Sequence, residues 1–134
     1  MWDQLSLMAQ PDQHFTVSEI TSRIRTVIEG DPILRSLWVQ GEVSNVSRAS
    51  SGHVYLTLKD AGAQIDAVIW RSQARAMATL PRHGDQVVVH GRVGVYEQGG
   101  RYQLYVDFVQ PAGRGTLFQE YERLKAQLEA KERG

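Results

Sequence analysis

Five stretches of the chain alternate hydrophobic with polar residues, which predicts five β-strands. Successive side chains of a strand point to opposite sides, so a period of two marks a strand with one buried face. Turns that contain Gly, Ser or Asp separate the stretches. Gly41 and Gly91 lie inside the first and fourth strands and indicate the bends that a small barrel needs at its corners. The predicted strands cover residues 37–44, 53–59, 64–70, 87–96 and 103–108.

A helix is predicted before the strands. Thr16 and Glu19 have the three-residue spacing of a capping box, and the helix ends at Gly30, Asp31 and Pro32. Its hydrophobic residues recur at helical spacing and form one stripe, made of Val17, Ile20, Ile24, Val27 and Ile28. We expect this stripe to dock onto the sheet rather than onto a partner.

Two further helices complete the predicted order. A short one covers Ser72 to Leu80, and a final one runs from about Thr116 to Glu132. A helix after the third of five strands is the order of an OB-fold, a five-stranded, partly open Greek-key barrel. The sequence therefore predicts a mainly β fold with flanking helices: a five-stranded OB-fold barrel with an N-terminal helix, a short helix between strands 3 and 4, and a C-terminal linker helix.

The same pattern divides the chain into three parts. Residues 1–15 show no sustained period and are expected to form a flexible N-terminal arm. Residues 16–112 are expected to form the OB-fold domain, with its N-terminal helix, and residues 113–134 the linker helix. The linker helix has a narrow hydrophobic stripe of Leu117, Tyr121, Leu124 and Leu128.

The formal charge is zero, from 15 basic and 15 acidic residues, which excludes a uniformly basic nucleic-acid binder but not a local basic face. Residues 35–114 hold nine basic against six acidic residues and are the mildly basic part. Twelve of the 15 cations are Arg, which pairs with phosphate and stacks on flat rings. An equally good explanation for this excess is a GC-rich genome.

Catalytic and metal-binding patterns are missing from the sequence. It contains no Ser-His-Asp motif, Walker loop or nucleotide-binding glycine fingerprint. The absence of Cys excludes disulfides and thiolate ligands, and no two of the four His lie within four residues of each other. We therefore expect no catalytic residues, no metal and no cofactor in this domain. Because no apolar run approaches the roughly 20 residues of a membrane span, we also expect no membrane contact and a cytoplasmic location.

Binding chemistry is better represented. If Val54, Leu56 and Leu58 point inward, then His53, Tyr55, Thr57 and Lys59 line the outer face of strand 2. Rings and cations on one face suit a single-stranded nucleic acid, because bases stack on rings while cations meet phosphates. The loops after strands 1 and 4 and the end of strand 3 add further rings, hydroxyls and cations. The candidate nucleic-acid-binding residues are Arg48, Ser51, His53, Tyr55, Lys59, Trp70, Arg71, Tyr96, Arg101 and Tyr102.

Structural alternatives exist for several candidates. Tyr55 is also consistent with a ring that covers a half-exposed sheet, and His53 with a residue that anchors a turn. Trp38 and Trp70 are equally consistent with packing against the N-terminal helix. Tyr102 is also placed to turn into the barrel beside Leu104.

Two segments resemble a known family. GEVSN at 41–45 and SSGHVYLTLKD at 50–60 resemble the signature of the large subunit of bacterial exodeoxyribonuclease VII, and GRV at 91–93 with YQL at 102–104 fits the same family. The resemblance covers roughly residues 14–130. It implies an OB-fold domain that binds single-stranded DNA, followed in the family by a nuclease domain and a coiled-coil region that gathers small subunits. Matching positions in the candidate set are Ser51, His53, Tyr55, Lys59, Tyr96 and Tyr102.

Three hypotheses follow. In the first, the chain is a single-stranded DNA-binding module, inactive alone, that feeds DNA to a nuclease domain missing from this chain. The full-length family enzyme degrades single-stranded DNA into short oligonucleotides, and its small subunit binds through regions outside this chain. In the second, the chain is a structural or protein-interaction module that scaffolds the nuclease domain or small subunits. In the third, the chain itself cuts DNA, which requires a cluster of acids or His that the sequence does not show.

Overall fold

A computed structural model describes residues 14–112 and 124–131. Its centre is a closed barrel in which the strands follow the order β1-β2-β3-β5-β4, with β4 pairing back onto β1. All neighbours are antiparallel except β3 and β5, which are parallel and paired at only two positions, Ala67 with Leu104 and Val68 with Tyr105. The strands are β1 (Leu37–Arg48), β2 (Val54–Lys59), β3 (Gln64–Ile69), β4 (Gln86–Tyr96) and β5 (Arg101–Pro111). The predicted five-stranded OB-fold barrel is confirmed.

The barrel interior is filled by the inward-facing members of the predicted alternation. Ile69 and Leu104 are fully buried at 0% exposure. Burying such side chains supplies most of the stabilisation, at about 25 cal/mol per Å² of apolar surface. The core cluster consists of Val43, Val54, Leu56, Leu58, Ala67, Ile69, Val87, Val89, Val93, Leu104 and Val106.

The glycines inside β1 and β4 permit close approaches between strands, and the irregularity that the sequence predicted is present at Gly91. A Cβ at Gly41 would come within 2.8 Å of Leu58 Cγ, and one at Gly91 would collide with the carbonyl oxygen of Tyr105. At Gly91 the register between β4 and β5 shifts: His90 faces Phe108 while Gly91 faces Val106. Asp107 is therefore the extra residue of a bulge, a feature that bends a strand and re-aims its side chains.

The helix α1 (Val17–Gly30) begins with the predicted capping box. The Thr16 hydroxyl accepts a hydrogen bond from the Glu19 N–H at 3.0 Å, and the Glu19 carboxylate accepts one from the Thr16 N–H at 3.2 Å. These bonds satisfy two of the backbone donors that a helix start leaves free.

Replacing the cap tests how independent α1 is. We expect Thr16→Ala to cost about 1 kcal/mol of helix stability and to accelerate amide exchange across α1, while exchange in the barrel core stays unchanged. Thr26→Ala is the matched control, because the Thr26 hydroxyl only bonds back to the Ser22 carbonyl within the helix. Equal exchange in α1 of both variants would contradict the role of the cap.

The hydrophobic stripe of α1 does not dock onto the sheet, so that prediction is wrong. Val17 and Val27 are 81% and 68% exposed, and Ile20 and Ile24 are exposed as well. Among the five stripe residues, only Ile28 packs against the core. The helix meets the barrel through its C-terminal part, which leaves the rest of its apolar face open.

The second helix, α2 (Arg71–Ala76), lies between β3 and β4 as predicted, but it is shorter than expected. Met77 is already extended, with φ −85° and ψ 129°, and Leu80 precedes Pro81, which disfavours the α conformation. Met77 and Leu80 pack against the core instead of continuing the helix.

The third helix, α3, covers 124–131, and its residues are exposed. The predicted positions Leu117 and Tyr121 lie outside the described residues, as do residues 1–13 of the predicted arm. Within the described parts of the chain, no helix is long and apolar enough to cross a membrane.

Candidate nucleic-acid interface

Three rings and a guanidinium form a continuous series on the outer wall of the barrel, which we call the aromatic row: His53, Trp70, Tyr105 and Arg92. The His53 and Trp70 ring centres are 4.9 Å apart with planes at 79°. Trp70 and Tyr105 stack at 5.5 Å with planes at 18°. The Arg92 guanidinium carbon lies 4.6 Å from the centre of the Tyr105 ring, within the range of a cation–π contact.

The alternation and the register explain this series. Tyr105 lies between Leu104 and Val106, which are both buried in the core, so its own side chain faces outward. Tyr105 pairs with Arg92 on β4 and with Val68 on β3, and Val68 pairs with Tyr55 on β2. Residues directly opposite each other share a face, so Tyr55 lies on the same wall as the row.

The row is held in place by backbone groups as well as by ring contacts. The Arg71 N–H donates to His53 Nδ1 at 2.9 Å, and the neutral imidazole therefore carries its proton on Nε2. A Cβ at Gly94 would come within 2.5 Å of Tyr105 Cε2. Glycine at this position thus lets the Tyr105 ring lie against β4.

Two rings on this wall, one in the row and one beside it, remain partly open to solvent. Tyr55 is 40% and Trp70 is 39% exposed. Trp70, which contacts the rings of His53 and Tyr105, offers a flat apolar face without first having to lose side-chain freedom, and this favours base stacking.

The predicted loop before β2 adjoins the row. Its turn is closed by the Ala49 N–H to His53 carbonyl bond and the Gly52 N–H to Ala49 carbonyl bond, both 2.9 Å. Gly52 has φ +97°, and the Arg71 side chain lies over it. Ser51 is exposed in this turn. The structure therefore brings Ser51 and Arg71 together with His53 and Trp70.

Arg48 lies at the end of β1, where it is exposed. Its register partner is Val54, a core residue, whereas Ser47 pairs with Tyr55. Arg48 thus shares the side of the inward-facing residues at the barrel end and lies beside the wall rather than on it.

The hairpin between β4 and β5 contributes a second group. Tyr96 pairs with Arg101 on the same face as Arg92 and Tyr105, and the Arg101 guanidinium carbon is 5.8 Å from the Tyr96 ring centre. Tyr102 pairs with Val95 instead and shares the face of Leu104. The hairpin therefore divides the candidates: Tyr96 and Arg101 face the wall, and Tyr102 is at the rim on the other side.

An ion pair ties this hairpin to α1. Arg25 contacts Glu97 at 3.3 Å and Glu29 at 3.1 Å. The hydrogen bonds to Glu97 and then Glu29 raise the pKa of Arg25, so it stays charged. The pair is exposed and screened by solvent, which makes it a positional tie rather than a source of stability.

Lys59 lies apart from the row. It is four residues from Tyr55 along β2, about 13 Å at the rise of a strand, and the intervening Thr57 is buried, as is its β1 partner Ser44. Thr57, which we expected on the outer face with Tyr55 and Lys59, is therefore buried and separates the exposed parts of this face. Lys59 instead lines a separate cavity with the carboxylates of Glu42 and Asp60.

Several Arg side chains near the aromatic row have no carboxylate partner. Several acids are engaged by backbone donors: Asp31, Asp60 and Asp85 each accept N–H bonds in a cap or turn. Among the described residues, the only Arg that forms an ion pair is Arg25. The unpaired arginines on or beside the wall are Arg35, Arg48, Arg71, Arg92 and Arg101. A formally neutral chain thus presents a local cationic surface.

A second ring cluster surrounds His90. Its ring centre is 5.0 Å from that of Trp38, which also contacts Phe108 at 5.8 Å. His90 Nδ1 is 2.8 Å from the Asp107 carboxylate, and His90 Nε2 is 3.0 Å from the Ser36 hydroxyl. The structure thus assembles a Ser-His-Asp hydrogen-bonded chain that the sequence order did not reveal. These bonds fix the imidazole against which Trp38 packs.

A mainly apolar cavity and the metal-binding potential of the described residues complete the description of the surface. A cavity of about 550 Å³ lies beside α2, lined by Met77, Leu80 and Phe108 together with Asp85 and Asp107. Its acids and its lack of a lining Lys or Arg make it unsuited to phosphate. In residues 14–112 and 124–131, no group of three or more His, Asp or Glu could hold a metal ion.

Tyr105, Arg92 and Arg35 were not among the binding residues predicted from the sequence. The outward position of Tyr105 and Arg92 was visible in the alternation, because each adjoins an inward-facing residue. Their contact was not visible, because it depends on the register between β4 and β5. Trp70 and Trp38 contact other rings, and Trp70 stacks on Tyr105.

Comparison with known proteins identifies this architecture. A family model described as "OB-fold nucleic acid binding domain" matches residues 15–110. The exodeoxyribonuclease 7 large subunit of Halothermothrix orenii is 44% identical over 115 residues, 86% of this chain and 28% of that protein. The protein of the same name from Bacillus thuringiensis is 45% identical over 117 residues, 87% of this chain and 26% of that protein.

A solved structure shares the fold. A chain of a replication protein A heterotrimer bound to ssDNA matches with a TM-score of 0.51 and 20% identity, over 90% of this chain and 84% of that chain. The chain spans about a quarter of the length of the curated relatives it matches. It belongs to the family of OB-fold nucleic acid binding domains and is homologous to exodeoxyribonuclease VII large subunits.

Proposed function

We propose that this chain is a single-stranded DNA-binding module that is not catalytic by itself and passes the strand to a nuclease domain outside it. The observation that carries the proposal is the aromatic row, with unpaired arginines on the same wall of the barrel.

The mechanism follows from the two kinds of group. Cations attract the phosphate backbone and release its counterions on binding. Rings then stack successive bases at about 1–3 kcal/mol for each base, independently of base identity. Stacking on a protein ring requires an unpaired base, so the row favours single strands over duplexes.

The wider role rests on the relatives' names. Their exodeoxyribonuclease activity is assigned here to residues beyond this chain, and the module works without a cofactor. The small subunit is proposed to bind elsewhere in the longer protein, and the cytoplasm is the proposed location. The interface residues are the aromatic row, Tyr55 and the neighbouring candidates Arg48, Ser51, Arg71, Tyr96 and Arg101, whereas Lys59 and Tyr102 lie away from this wall and are left out.

A titration of labelled oligo-dT tests the proposal. With about three to five cations engaged, we expect log K to fall against log salt concentration with a slope of about −2 to −4, because each neutralised phosphate of a single strand contributes about 0.7. A duplex of equal length is the control and should bind more weakly. Salt-independent binding, or a preference for the duplex, would count against the module.

Incubation of the chain with a labelled single strand tests its proposed inactivity. No shortening of the strand is expected, and release of short oligonucleotides would revive the hypothesis that the chain itself cuts DNA.

A second candidate function is protein interaction. The specific observation in its favour is the exposed apolar stripe of α1, with Val17 and Val27 largely open. Light scattering of the chain, alone and mixed with a small subunit, distinguishes the candidates: a stable complex without any affinity for oligo-dT would favour the interaction module.

A further inference from the structure

A cavity of about 200 Å³ opens at one end of the aromatic row. This is several times the roughly 30 Å³ that a water molecule takes in the liquid, so a phosphate group fits. The cavity shares Trp70, Tyr105 and Arg92 with the row and adds Arg35, Gln73 and Asp107.

Local structure brings the two arginines to the same cavity. Arg35 belongs to the connection between α1 and β1, where the Asp31 carboxylate accepts the N–H groups of Ile33 and Leu34. The Leu34 carbonyl in turn accepts the Val93 N–H at 2.8 Å. The backbone of the connection is therefore fixed to β4 next to Arg92, so only the Arg35 side chain has to be ordered when an anion binds.

The charges in the cavity favour an anion. Within the described residues, neither Arg35 nor Arg92 forms an ion pair, whereas the one carboxylate, Asp107, is already bonded to His90 at 2.8 Å. Two guanidiniums without a carboxylate partner in a recess suit the geometry of phosphate recognition, because Arg donates in a planar fork.

We propose that this cavity is a phosphate subsite, in which Arg35 and Arg92 hold one backbone phosphate of the bound strand beside the bases stacked on Trp70 and Tyr105. The proposal rests on the proposed function and adds the course of the single strand across the barrel surface. The strand crosses the barrel from the turn before β2, over the end of β3 and the middle of β5, to β4. It does not follow β2 towards Lys59.

Single replacements in the full chain test the subsite. Arg35→Ala and Arg92→Ala should each weaken oligo-dT binding by about five- to tenfold at low salt. Each should also make the salt slope less steep by about 0.7. Arg35→Lys and Arg92→Lys keep the charge and should retain the slope, which separates phosphate contact from a packing role. Arg82→Ala is the matched control, since Arg82 is exposed in a turn away from the cavity.

Asp107→Asn provides a test of opposite sign. It removes a negative charge from the cavity and keeps an oxygen that can accept from His90, so binding should tighten by about two- to fivefold at low salt. If both Arg→Ala variants and Asp107→Asn bind like the parent while loss of the Trp70 and Tyr105 rings abolishes binding, the subsite is wrong and the proposed function stands. If the parent chain does not bind oligo-dT, the proposed function itself fails.

Discussion

Replacing Trp70 and Tyr105 together by Ala should weaken oligo-dT binding by at least about 30-fold. The two rings stack on each other across β3 and β5, and each stacked base is worth about 1–3 kcal/mol. Loss of two stacking positions therefore removes at least about 2 kcal/mol, which is about 30-fold in affinity. Fluorescence anisotropy of a labelled oligonucleotide at low salt measures the change.

The matched control for this pair keeps the rings. Trp70→Phe with Tyr105→Phe should retain most of the affinity, because a flat apolar face remains at both positions. The salt slope of the Ala pair should match that of the parent chain, since no cation is removed. Parent-like affinity of a folded Ala pair would contradict the assignment of the row as a stacking platform.

The largest effect on stability is expected from Gly91→Ala. A Cβ at Gly91 would collide with the Tyr105 carbonyl oxygen, which belongs to the backbone of β5 and cannot rotate away. Forcing atoms into a packed site costs about 1–3 kcal/mol and occasionally more. Because this site joins two strands at a bulge, we expect a loss of about 3 kcal/mol in urea-induced unfolding.

Gly30→Ala is the control for this substitution. Nothing lies within 4 Å of a Cβ at Gly30, so its effect should stay within about 0.5 kcal/mol. Equal stability of the two variants would show that β4 and β5 do not approach each other closely at Gly91.

The barrel was predictable from the sequence because burial of one face of each strand leaves a period of two. Leu104 and Val106 flank Tyr105, and that alternation alone assigns each side chain to a face. The register of β5 on β3 was not predictable, since the period of two carries no information about which residues face each other across two strands. The contact of Trp70 with Tyr105 depends on that register.

The exposed face of α1 and the contacts of His90 could not be predicted from the sequence, for two different physical reasons. Amphipathic spacing shows that α1 has an apolar face, but it does not show what covers that face, and Val17 and Val27 stay exposed. The bulge at Asp107 shifts the register by one residue, so His90 meets a carboxylate 17 positions away. Neither Ser36 nor Asp107 was therefore linked to His90 by spacing.

The seam between β3 and β5 has fewer paired positions than any other in the barrel. Trp70 directly follows β3 and Tyr105 lies on β5, so their stack straddles this seam. A polynucleotide lying on both rings would bridge β3 and β5 and slow the local opening of the barrel between these two strands. Binding of a polynucleotide should consequently slow deuterium uptake at the backbone N–H groups of Ala67 and Val68. The side chains of both residues are buried and therefore do not contact the ligand themselves.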